Sequence, residues 1–93
     1  MEGLGEVVFS SHALRRMRER GISREDVLEA LRRPVQSYYD YSKDVYLVLG
    51  ENRVGVVYSY RAPRVEVVTV LRESEYRGLV VRIGRRRYKP VDV

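Results

Sequence analysis

The stretch FSSHALRRMRERGI at residues 9–22 holds the chain's one histidine, His12, followed by Arg15, Arg16, Arg18 and Arg20. An imidazole with guanidinium groups one turn along is a set that can handle phosphate. Cleavage of RNA by its own 2′-hydroxyl needs a base, an acid and cationic stabilisation at phosphorus. His12 can supply the base and the arginines the stabilisation. Tyrosine, of which the chain has eight, can act as an acid or a stacking surface. On a helix at about 100° per residue with His12 at zero, Ala13, Met17 and Leu14 fall near about 100°, 140° and 200°, the core side. Arg16, Glu19 and Arg15 fall around His12 at about 40°, 340° and 300°, and Arg20 borders the core at about 80°. In the first turn of such a helix, the dipole and free N–H groups disfavour positive charge on the imidazole. They can also hold a phosphate oxygen. The plain alternative is a solvated charged face, and spacing alone leaves both open.

Two helices position these residues. Ser10 or Ser11 can cap the first, and Gly21 supplies the left-handed residue that ends it. Ser23 caps the second, Asp26 stands three residues on as a capping-box partner, and Ile22 and Val27 form the staple. Val27, Leu28 and Leu31 should be buried, and Pro34 ends the helix. The helices are expected over about 11–20 and 24–33, with Leu14, Met17, Val57, Val67 and Leu71 also in the core. After Pro34 the apolar period changes to two. VQSYYDY, VYLVL, RVGVVYSY and RVEVVTVLR are separated by short turns at 42–44, 50–52 and 61–63. Connections this short join antiparallel neighbours. The fold class expected is therefore α+β, two N-terminal helices on an antiparallel meander over 35–72. The run at Val7–Phe9 suits a first strand. Residues 1–75 form one domain, and 76–93 a basic extension in which LVVRI (79–83) offers one more strand.

Composition narrows the function. Ninety-three residues allow one small core. With no cysteine and one histidine there is no thiolate chemistry and no metal site, and no cofactor is expected. The amino terminus lacks a signal-peptide pattern and no apolar run spans a bilayer, so a cytoplasmic protein with no membrane partner is expected. The net charge is +5, carried by sixteen arginines and two lysines against thirteen acids. Arginine pairs bidentately with phosphate, which suits nucleic acid, while the same composition suits a thermophile's surface. No glycine-rich loop has phosphate-binding spacing.

The run Ser11-His12-Ala13, Arg16-Met17, Arg20-Gly21-Ile22, then Val27, Leu31 and Pro34, with the strand VVYSYRAPRVEVVTVL (56–71), resembles a family of small bacterial and archaeal domains of unknown function. The resemblance covers roughly residues 9–72. That family is similar to the RelE/ParE and BrnT-type toxins, whose folds pack two helices on an antiparallel sheet and many of which cleave RNA. The resemblance implies a metal-independent endoribonuclease with His12, Arg16 and Arg20 as its catalytic set. It also implies an RNA substrate such as ribosome-associated message, and a small antitoxin as partner. Gly21 already has a backbone role and Arg20 borders the core, so both also read as structural. RelE-like ribonucleases place catalytic side chains on late strands and near the C-terminus, where this chain offers Arg61, Arg64, Arg72, Arg85, Arg86, Arg87 and Tyr88.

Together with Arg15, the residues Arg61, Arg64, Arg85, Arg86, Arg87 and Tyr88 are the candidate nucleic-acid contacts. The 84–89 stretch reads equally as a solvated tail. Tyr39 and Tyr41, with Tyr58 and Tyr60, suit either a base-stacking platform or cross-strand packing. Two further readings stand beside the nuclease. One is a non-catalytic nucleic-acid-binding module. The other is an interaction protein, including a homo-oligomer formed through a strand edge or the tail.

Overall fold

Ser10 and Gly21 bracket the first helix. The computed structural model describes residues 5–83 and 88–91. In it, α1 (Ser11–Arg20) starts where the Ser10 hydroxyl accepts the Ala13 N–H at 3.0 Å. It ends at Gly21, left-handed at φ 65°, with the Ile22 N–H returning to the Met17 carbonyl at 2.9 Å. In α2 (Arg24–Arg32), the Ser23 hydroxyl accepts from the Asp26 N–H and the Asp26 carboxylate from the Ser23 N–H, at 3.1 and 2.9 Å. Asp26 therefore completes the capping box despite its shorter side chain.

The strands β2 (Pro34–Asp40), β3 (Val45–Gly50), β4 (Val54–Arg61) and β5 (Arg64–Arg72) run antiparallel in sequence. The expected architecture is nevertheless corrected, because the sheet is mixed and carries a third helix. β1 (Glu6–Phe9) pairs parallel with β5, and β6 (Tyr88–Pro90) pairs antiparallel with β2. The six-stranded order is β1-β5-β4-β3-β2-β6. β1 lies parallel to β5 because two helices and three strands separate them in the chain, a pairing no local turn specifies. Residues 79–83, read as an optional strand, belong instead to α3 (Glu73–Ile83). Tyr76, Leu79 and Val80 recur at helical spacing and pack on the sheet, and this tertiary burial overrides the strand preference of the valines.

The sheet is covered on both faces. Ala13, Met17, Val27, Ala30 and Leu31 of α1 and α2 pack with Val48, Val56, Val67 and Val70. Tyr76 of α3 packs with Leu47, Leu49 and Val57, which alternate onto the other face. A bulge at Val68 serves both sides, since Val57 pairs with Thr69 but Tyr58 with Val67. It keeps Val67 and Val70 on the α1–α2 side. The expected core needs correction at three positions. Leu14 is 36% exposed, and Leu28 and Leu71 are only half-buried. Ala13 and Met17 centre the buried arc of α1, so Leu14 falls at its far margin. Leu28 stands about 100° around from the buried Val27.

The second layer of contact is tight at Gly50. A Cβ built there would meet the Ala30 Cα at 2.5 Å. Gly50→Ala should therefore lower stability by about 2 kcal/mol through overpacking, read as a fall in the thermal midpoint. An unchanged midpoint would show that α2 slides off β3 without cost. Among the described residues no helix is long and apolar enough to cross a membrane.

Candidate nucleic-acid interface

Ser10 fixes where α1 begins. Its N–H donates to the Val67 carbonyl at 3.0 Å and its hydroxyl to the Val68 carbonyl at 2.9 Å, on the bulged strand. His12 follows in the first turn, half-buried, and its side chain makes no hydrogen bond among the described residues. The first turn of α1 contains no acidic residue. Arg15 and Arg18 are exposed on the outer face and have no carboxylate partner among the described residues.

The other two arginines of the motif are engaged. Arg16 meets Glu19 at 2.8 Å in an exposed i,i+3 pair. Arg20 forms a two-pronged pair with Glu75 of α3, Nε to Oε1 at 2.8 Å and Nη2 to Oε2 at 2.5 Å. Glu75 also accepts the Arg72 N–H at 2.9 Å, and Arg72 Nη2 donates to the Arg20 carbonyl at 2.5 Å. Arg20 thus ties the end of α1 to the start of α3, away from the His12 end. The motif brings His12 and Arg20 onto one helix but not into one site.

The Arg20 guanidinium and the Arg72 N–H hold the Glu75 carboxyl well below its ordinary 4.5, at about 2. Glu75 likewise raises Arg20. A depressed carboxyl stabilises the fold above its unfolded pKa, and that contribution is lost as pH falls through about 2. The Glu75 side chain is 37% exposed, so solvent screening holds the effect to about 1 kcal/mol. Denaturant titrations at pH 5 and pH 2 should show wild type losing about 1 kcal/mol more than Glu75→Gln. Equal losses would mean the pair adds nothing.

Arg61 pairs with Asp44 at 3.0 Å and Arg64 with Glu6 at 3.5 Å, both on the surface beside the β4–β5 turn. Arg85, Arg86 and Arg87 lie outside the described residues. Tyr88 opens β6, opposite Asp40 in register.

The tyrosines form a transverse row. Phe9, Val67, Tyr58, Tyr46 and Tyr39 are consecutive register partners across β1, β5, β4, β3 and β2. Tyr46 stacks on Tyr58 at 5.2 Å and 15°, and Tyr39 tilts onto Tyr46 at 5.0 Å and 46°. Tyr39 donates to Asp44 at 2.7 Å. That bond raises the Tyr39 phenol and burial raises Tyr58, so both stay protonated donors. Arg24 lies 5.0 Å over the Phe9 ring, near the start of α1. The pairs 39/41 and 58/60 do not form one platform. Tyr39 and Tyr58 pack through Tyr46, a residue the sequence did not single out, while Tyr41 and Tyr60 are exposed.

A cavity of about 360 Å³ opens at the opposite end of α1, lined by Arg20, Asp26, Asn52, Arg53, Arg72 and Glu73 among others. Its polar groups are largely paired internally, as in Arg53–Glu73 at 3.1 Å and Asn52 to the Asp26 carbonyl at 2.9 Å. Sequence reasoning missed Glu73 and Glu75. Their signal was the Glu-Ser-Glu run opening a helix, with Glu73 and Arg77 at i,i+4. Among the described residues no three His, Cys, Asp or Glu side chains converge as a metal site.

Fold and site define a small α+β domain with a mixed sheet, its one histidine at a helix start beside arginines that have no carboxylate partner among the described residues. The chain belongs to the family described as Domain of unknown function (DUF4258), whose model matches residues 9–72, from the end of β1 through β5. That span contains His12 and Arg20 but not Glu75. No curated protein and no solved structure matches the chain.

Proposed function

We propose that the protein is a RelE/BrnT-like toxin that binds RNA and cuts it through the substrate's own 2′-hydroxyl. The observation carrying this reading is His12, half-exposed in the first turn of α1 and without a side-chain hydrogen bond among the described residues. As general base, His12 takes the proton of a 2′-hydroxyl as that oxygen bonds to phosphorus. The bond from phosphorus to the 5′-oxygen breaks, and the leaving oxygen takes a proton from solvent water. The products are a 2′,3′-cyclic phosphate and a 5′-hydroxyl. Arg16, whose exposed pair with Glu19 is weak, can turn to the phosphoryl oxygens. Arg15 and Arg18 hold flanking phosphates. Arg20 is a positioning residue here, since Glu75 occupies it. A small antitoxin covering this surface is the partner the reading implies.

That same occupation of Arg20 favours a second reading, RNA binding without cleavage. End-labelled RNA incubated with the protein, with and without a chelator, separates the two. Chelator-resistant cutting with cyclic-phosphate ends supports the nuclease. Binding without cutting across varied RNAs and ribosome-bound message leaves only the binding module.

A further inference from the structure

The transverse row and its exposed neighbour have no part in proton transfer. From Phe9 to Tyr39 the row crosses five strands, about 19 Å at the usual strand spacing. Its central rings are fixed, because Tyr46 stacks on Tyr58 and Tyr39 leans on Tyr46. Tyr60 follows Tyr58 on the same face of β4. It is 48% exposed and makes no ring contact among the described residues. A flat aromatic left in water beside a filled row is a poor packing choice and a ready surface for a base. Cations flank it. Arg61 and Arg64 lie at the adjoining turn in exposed ion pairs, which contribute little and yield readily to phosphate. Arg24 covers Phe9 at the end of the row nearest His12.

We infer that Tyr60 is a base-stacking anchor that makes this surface select unpaired RNA over duplex. The inference rests on the RNA reading above and adds the class of strand. In a duplex each base already lies between its neighbours, so no base face is free to lie on Tyr60. An unpaired strand offers one. Its phosphates then pass Arg61 and Arg64.

The test uses the full chain and a short fluorescent 2′-O-methyl RNA, which cannot undergo internal attack, either single or annealed to its complement. Anisotropy should show the single strand bound about tenfold more tightly than the duplex. Tyr60→Ser should lower single-strand affinity about tenfold and leave duplex affinity unchanged. Tyr60→Phe keeps the ring and should bind as wild type. Equal affinity for both forms, or Tyr60→Ser indistinguishable from wild type, overturns this inference and leaves RNA binding standing. Failure to bind either form overturns the RNA reading as well.

Discussion

If the proposed nuclease reading holds, replacing His12 with alanine should lower RNA cleavage about 100-fold or more, the usual scale of positioned proton transfer. RNA affinity should stay close to wild type, since phosphate attraction on this helix rests on the guanidinium groups of Arg15 and Arg18. The contrast matters because His12 lies on the same helix as Arg15 and Arg18, and a binding defect would also slow cutting. His12→Gln keeps a hydrogen-bond donor but no proton acceptor of suitable strength, so it should be nearly as inactive as alanine. The two variants should also melt like wild type, because the His12 side chain makes no hydrogen bond among the described residues that the fold would lose. Initial rates on end-labelled RNA, with affinities measured separately, are the required data. Cleavage by His12→Ala at the wild-type rate would make the histidine a surface residue and move the site elsewhere, with Arg61 and Arg64 the first places to look.

The parts of the fold that local chemistry dictates were legible. Ser10, Gly21 and Ser23 mark the helix ends because caps act over three or four residues. The short turns between β2 and β5 announce antiparallel neighbours for the same reason. What stayed hidden depends on distant partners. The Val7–Phe9 run reads as a strand, yet nothing near it names β5 as its partner. The stretch 79–83 reads as strand from its valines, and only the packing of Tyr76 against Leu47, Leu49 and Val57 makes it a helix. The site divides along the same line. His12 at a helix start follows from the cap beside it. The engagement of Arg20 does not, because Glu75 is 55 residues away. A motif arginine that the family resemblance placed in the catalytic set pairs here with Glu75, between α1 and α3. Arg15 and Arg18 lack a carboxylate partner among the described residues for different reasons: Arg18 has no acid at i±3 or i±4, and Glu19, four residues after Arg15, turns to Arg16 and Arg20 instead.

That absence yields the second large effect. Arg16, Arg20, Arg33, Arg53, Arg61, Arg64 and Arg77 each meet a carboxylate within 3.6 Å. Each of these must give up a partner to meet a phosphate. Arg15 and Arg18 are not so matched among the described residues, and they share the outer face of α1. Each phosphate contact on a single strand adds about −0.7 to the slope of log affinity against log salt. Arg15→Glu with Arg18→Glu should therefore flatten that slope by about 1.4 and weaken binding about 30-fold or more at low salt. The deficit should shrink as salt rises. The matched control is Arg77→Glu with Arg82→Glu, which makes the same change in net charge on α3, across the sheet from α1. That pair should lose only a few-fold, because its charges lie about a Debye length or more from the bound strand. If the α3 reversal weakens binding as much as the α1 reversal, attraction comes from net charge alone, and α1 is not the surface that RNA meets.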